Sequence, residues 1–150
     1  MKMNIGKLSL AIIIPVLAYG AVQHFHSTGS INKVTLSSQI SNIALENAYR
    51  NKQSNIQIKG SGVVIKILRD DNQGSRHQRF ILKANAKQTL LIAHNIDLAQ
   101  RIDRLKVDDR VEFYGEYEWN PKGGVIHWTH HDPNQRHIGG WLKHNGKTYQ

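Results

Sequence analysis

Ile56-Gln57-Ile58-Lys59-Gly60-Ser61-Gly62-Val63-Val64-Ile65-Lys66-Ile67 is the stretch whose reading decides the fold. Ile56 and Ile58 alternate with Gln57 and Lys59, the period of two that marks a half-buried strand. Gly60-Ser61-Gly62 interrupts the run, and Val63, Ile65 and Ile67 resume it on the opposite parity. That change predicts a bulge or sharp bend at the glycines of one long strand.

Turn chemistry divides the residues that follow. Asp70 to Ser75 reads as a turn, and a strand over about 77–84 carries Phe80 and Leu82 on one face and His77 and Arg79 on the other. Asn85 to Lys87 turns the chain into a third strand, Thr89 to Ala93. Ile96 to Leu105 reads as a short helix or an irregular crossing, and Val107 to Asp109 as a turn. Val111, Phe113, Gly115 and Tyr117 then alternate with polar positions, Asn120 to Gly123 turns again, and Gly124 to His130 is a fifth strand. Upstream, Ser37 or Ser38 caps a helix over about 39–52. Its expected packing face is Ile40, Ile43, Ala44, Ala48 and Tyr49.

Three meandering strands, a crossing and a hairpin predict an all-β domain with one N-terminal helix. The expected architecture is a small five-stranded OB-like barrel with a His-rich C-terminal tail; a small SH3-like barrel gives a similar string. The boundaries are helix 37–54 and barrel with tail 55–150. Ile65, Ile67, Phe80, Leu82, Val111, Phe113 and Trp128 are expected to point inward. His144-Asn145-Gly146-Lys147 reads as a tight hairpin turn, with Thr148 and Tyr149 pairing back.

The N-terminus has the pattern of an export signal. Lys2 and Lys7 precede the apolar run Leu8 to Val22, which is long for a signal core and short for a membrane span. Residues 1–22 are therefore a cleaved signal peptide or an uncleaved anchor, and 23–36 a polar linker. The expected location is the periplasm or the medium of a bacterium, with inner-membrane attachment only if the signal stays. The formal net charge is +9, and the absence of cysteine excludes disulfides, thiolate metal sites and Cys nucleophiles. No Walker loop, Rossmann fingerprint or nucleophile elbow occurs, so no nucleotide cofactor is expected.

Several longer words resemble a bacterial domain-of-unknown-function family of small exported proteins. They are Asp70-Asp71-Asn72 with Gly74 to Phe80, Ala93 to Ala99, Gly115 to Gly124, and the tail from His127 to Trp141. The resemblance runs from about Gly60 to Gln150. It implies an exported protein and carries no chemistry.

Chemistry has to be read from the polar residues. Five of the nine histidines lie in the last 24 residues, and no HExxH spacing is present. In an OB-like order the start of strand two, the end of strand three and the end of strand five meet at one rim. Arg76, His77, Arg79, His94, His127 and Asp132 are thus the candidate catalytic residues. His127, His131, Asp132 and His137 are the candidate ligands of a divalent metal, Zn²⁺ or Mg²⁺, which would activate water while Arg stabilises a developing anion. Trp141, Trp119 and Lys122 are candidate binding residues. The implied function is metal-dependent phosphodiester hydrolysis of the nuclease kind. The alternatives are a non-catalytic module for nucleic acid or another anionic polymer, and a structural envelope protein. The plain reading of the same histidines is a solvated strand face or a hydrogen-bonded structural cluster.

Overall fold

A computed structural model describes residues 40–150. The expected signal or anchor over 1–22, the linker over 23–36 and the first residues of the helix lie outside the described residues. Among the described residues no helix is long and apolar enough to cross a membrane. A helix, α1, occupies 40–50. Seven strands follow: β1 (Ile56–Ile67), β2 (His77–Lys83), β3 (Thr89–Asn95), β4 (Arg110–Glu118), β5 (Val125–His127), β6 (Trp141–His144) and β7 (Lys147–Tyr149).

The long first strand closes the sheet on itself. Residues 56–63 of β1 pair antiparallel with β4, and the stretch from Val63 onward pairs with β2. β2 pairs antiparallel with β3, β3 runs parallel to β5, and β5 pairs antiparallel with β4. The ring β1-β2-β3-β5-β4-β1 is a closed five-stranded, OB-like barrel. β6 continues along the edge of β4 beyond β5, and β7 pairs back onto β6. Asn145 and Gly146, both at positive φ (48° and 78°), make the expected tight turn between them.

The parity of β1 differs from the expectation. Ile58, Gly60, Gly62 and Val64 all face inward, so the alternation runs unbroken through the glycines. The register shift falls later, between Val64 and Lys66. Ile65 and Ile67 are consequently 43% and 38% exposed and do not belong to the inward ring. Phe80, Leu82, Val111 and Phe113 are fully buried as expected, and Leu90, Ile92, Tyr117, Ile126 and Leu142 complete the core. Each such side chain contributes roughly 1.5–3 kcal/mol relative to exposure.

The helix also presents a different face. Leu45 and Ala48 are buried, whereas Ile40 and Ile43 are 59% and 57% exposed and Ala44 is exposed too. Leu45 and Ala48 join the barrel core, and at the C-terminal turn of α1 Tyr49 donates its hydroxyl to the Pro121 carbonyl and stacks on Trp119 at 6.4 Å. The crossing after β3 is irregular. It is held by Gln78, buried in β2, whose amide exchanges hydrogen bonds with the backbone of Ile102 (2.9 Å each).

Candidate metal centre on the outer barrel face

The outer surface of β4 alternates with its buried face, so Glu112, Tyr114, Glu116 and Glu118 point away from the core. Antiparallel register places Glu116 opposite His127 and Glu118 opposite Val125. Gln57 of β1 faces Glu116 from the other side. One ligand atom from each of Glu116, Glu118 and His127 lies within 4.8 Å of the other two.

His127 is the odd member of this group. Its Nε2 is buried and has no hydrogen-bond partner, although Glu116 Oε1 lies 3.4 Å away. That separation is short enough for an ion pair, but the atoms are not aligned as a hydrogen bond. Burial lowers the pKa of the ring, against the raising influence of Glu116 and Glu118. The imidazole is therefore neutral at neutral pH, the state in which a ring nitrogen ligates a metal. The Gln57 side-chain nitrogen, in the same cross-strand row, is likewise buried without a partner.

A chain excursion over 128–140 leaves the end of β5 and returns to β6, and it folds a second imidazole onto the cluster. His137 Nε2 contacts Glu116 Oε2 directly, and its ring stacks on Trp128 at 4.0 Å. Burial works against the charged form of His137, but the Glu116 carboxylate and the Ile138 carbonyl raise its pKa overall. Asp132 organises the excursion, because its carboxylate accepts the backbone N–H groups of Asn134, Arg136 and His137 at 2.7–3.0 Å. Those bonds hold the Asp132 carboxyl below the usual carboxylate range.

Two adjoining grooves open beside the cluster. One, of about 360 Å³, is lined by Asp71, His77, Arg79, Glu118 and His127 among others. The other, of about 350 Å³, is lined by Ser75, His77, Asn95, His127, Trp128 and His130 among others. His77 and His127 line both. The Ser75 carbonyl lies 2.7 Å from His77 Nδ1, so Nδ1 carries the proton and Nε2 keeps its lone pair in the neutral ring. That is the form a proton acceptor needs.

The family described as "Protein of unknown function (DUF3465)" matches residues 29–150. The chain belongs to that family. No curated protein matches the chain. The family match takes in the whole barrel, the excursion and the cluster, and its description assigns no reaction, so function has to be argued from the residues.

Within this family domain the expected site residues divide into three groups. His77, Arg79, His127 and His137 lie at the cluster or its grooves. Arg79 is only partly available there, because its guanidinium donates to the Arg69 carbonyl at 3.1–3.2 Å and lies 3.3 Å from Asp71. His94 shares the same end of the barrel but points inward and is fully buried. Its Nε2 donates to the Gln100 carbonyl (3.2 Å) and its Nδ1 accepts from the Thr129 hydroxyl (2.8 Å). Arg76 forms an exposed pair with Asp97 at 2.6 Å, and His131 is exposed on the excursion.

Trp141 lies on β6 opposite Tyr114, one row from Glu116, whereas Asp132, Trp119 and Lys122 stand apart. Asp132 spends its oxygens on backbone N–H groups and is not part of the donor cluster. Trp119 donates Nε1–H to the Tyr49 carbonyl (3.0 Å) and ties α1 to the barrel. Lys122 is exposed on the β4–β5 turn, at the opposite end of β5 from His127. Trp128 is only half-buried: its φ of 51° ends the alternation of β5, so Thr129 takes the next inward place. Glu116 and Glu118 were missed. Their signal was present, since both stand on the outward parity of a strand whose hairpin partner ends in His127.

Proposed function

We propose that the protein is a small exported hydrolase of phosphodiesters with a divalent metal bound by Glu116, Glu118 and His127, and by His137 once it is released from Glu116. The observation that carries this reading is the buried, unpartnered Nε2 of His127 set against two carboxylates. Orphaned buried nitrogens are costly, by about 1–3 kcal/mol each, and persist where a function needs them. Two oxygen donors and one or two imidazoles suit Zn²⁺, with Mg²⁺ the harder alternative. Such an ion would supply an activated water and charge neutralisation. His77 accepts a proton from the groove side through Nε2, and Arg79 brings positive charge to the lining of that groove. The basic balance of the chain, +9, favours an anionic substrate. Lys2, Lys7 and the apolar run Leu8 to Val22 support export to the periplasm or beyond, or tethering to the inner membrane if the segment is retained.

A stripped preparation of the full chain should melt at a higher temperature in Zn²⁺ or Mg²⁺ than in chelator, and should hydrolyse bis(p-nitrophenyl) phosphate only with metal. Unchanged melting in both ions would remove this reading. A non-catalytic binder of anionic polymers is the second reading, favoured by the aromatic and basic outer face of β1, β4 and β6. It predicts salt-sensitive binding without turnover.

A further inference from the structure

Beside the Glu116 row lies a second cross-strand row made of Lys59, Tyr114 and Trp141. Lys59 pairs with Tyr114 across β1 and β4, and Tyr114 pairs with Trp141 across β4 and β6. The Tyr114 and Trp141 rings stand 6.3 Å apart at 40°, and the Lys59 ammonium lies over the Trp141 ring at 5.4 Å. Both rings are half-buried on the outer face, so each is fixed in place and still offers a surface. The next row along β4 is Ser61, Glu112 and Lys143: the Lys143 ammonium flanks Glu112 on one side, and on the other Arg110 donates to the Ser61 hydroxyl at 2.6 Å.

Tyr114 and Glu116 are two residues apart on one strand face, a step of about 6.8 Å. That is comparable with the rise between neighbouring nucleotides in an extended single strand. A phosphate drawn to a metal that Glu116, Glu118 and His127 would hold would therefore present its adjoining base to the Tyr114–Trp141 pair. Lys59 and Lys143 would then meet the phosphates that follow. Base-on-aromatic stacking tolerates any base, because every base has a π face, and cations beside it follow the backbone. A polymer without planar rings, such as polyphosphate, would meet Lys59 but make no use of the Tyr114 and Trp141 rings.

We infer that the substrate is single-stranded nucleic acid, with the base next to the scissile phosphate stacked on Trp141 and the strand running over Lys59 and Lys143 along β4. The inference rests on the hydrolase reading only in saying which phosphate is cut; the stacking itself is independent of metal.

Binding of a short fluorescein-labelled oligothymidylate to the full chain, measured in chelator, tests it. Trp141→Ala should weaken binding at least about fivefold, and Trp141→Phe should restore most of it. An abasic oligomer of the same length should bind the wild type as weakly as it binds Trp141→Ala. Lys59→Ala should flatten the salt dependence by about 0.7 in the log–log slope, one single-strand phosphate contact. The inference is overturned if Trp141→Ala keeps wild-type affinity or if the abasic oligomer binds as tightly as oligothymidylate. Base-dependent binding with no metal-dependent cleavage would uphold the stacking and end the hydrolase reading.

Discussion

Phe113 fills the space that a side chain at Gly60 would need: a Cβ built on Gly60 comes within 2.5 Å of the ring's Cζ. The two residues face each other across β1 and β4. The glycine is thus an inward position whose volume is supplied by its neighbour. Gly60→Ala should destabilise the barrel by about 1–3 kcal/mol, the usual cost of forcing atoms into a packed core. Urea unfolding would report it as a lower midpoint at constant slope. A change within about 0.5 kcal/mol, the scatter of surface substitutions, would mean that Phe113 yields freely.

His94 makes stability depend on pH. Burial pushes its pKa down to about 4 from 6.5, despite the raising influence of the Gln100 carbonyl. Between those values the unfolded chain binds a proton that the folded chain excludes. Its contribution is therefore complete above about pH 6.5 and is lost as pH falls toward 4. Linkage puts it at about 3 kcal/mol. His94→Gln should flatten that limb of the stability–pH curve while lowering stability at pH 7. An unchanged limb would show that another group drives the acid transition.

Much of the barrel was legible because turn residues and the period of two mark strands locally. What misled was the meaning of particular residues. Gly60 and Gly62 look like an interruption because an inward position without a side chain resembles a gap in the pattern, and only the Phe113 ring against Gly60 and the Lys83 carbonyl against Gly62 show otherwise. Trp128 looks like the next inward residue after Ile126, but its positive φ turns the chain, and no local signal marks a Trp for that conformation. The candidate cluster was half legible. His127 and His137 stand out as histidines, whereas the carboxylates emerge only when the β4–β5 register is counted back from the Asn120–Gly123 turn, which sets Glu116 opposite His127. Asp132 has the right chemistry, and its three backbone partners are invisible until the excursion is folded.

His144 belongs to the structure of the β6–β7 corner. The sequence places it at the start of a tight hairpin turn, with no sign of a partner. It is only 4% exposed, and its Nε2 lies 2.8 Å from Asp109 Oδ2. Asp109 also accepts the Lys106 N–H at 3.0 Å, so the pair ties the crossing segment to the end of β6. His144→Ala should lower the melting temperature by several degrees, because a buried carboxylate contact is stripped and a cavity is left. The proposed metal binding and hydrolysis should be unaffected at temperatures where the variant is folded. A melting temperature equal to that of the wild type would show the pair to be dispensable.

The sharpest test of the proposed metal centre sets two substitutions against each other. Glu118→Gln keeps the shape of the outer face and removes one anionic donor, while His131→Ala removes an exposed imidazole that the sequence alone nominated as a ligand. With Glu116, Glu118 and His127 as the donors, Glu118→Gln should weaken Zn²⁺ binding by at least tenfold by calorimetry and abolish the metal-induced rise in melting temperature. His131→Ala should leave both within twofold of the wild type. The metal-free melting temperature of Glu118→Gln should stay level or rise, since the change relieves repulsion between neighbouring carboxylates. A structural cluster without metal predicts no thermal response to Zn²⁺ in any of the three proteins. A site centred on the excursion predicts the reverse order, with His131→Ala losing the metal and Glu118→Gln keeping it.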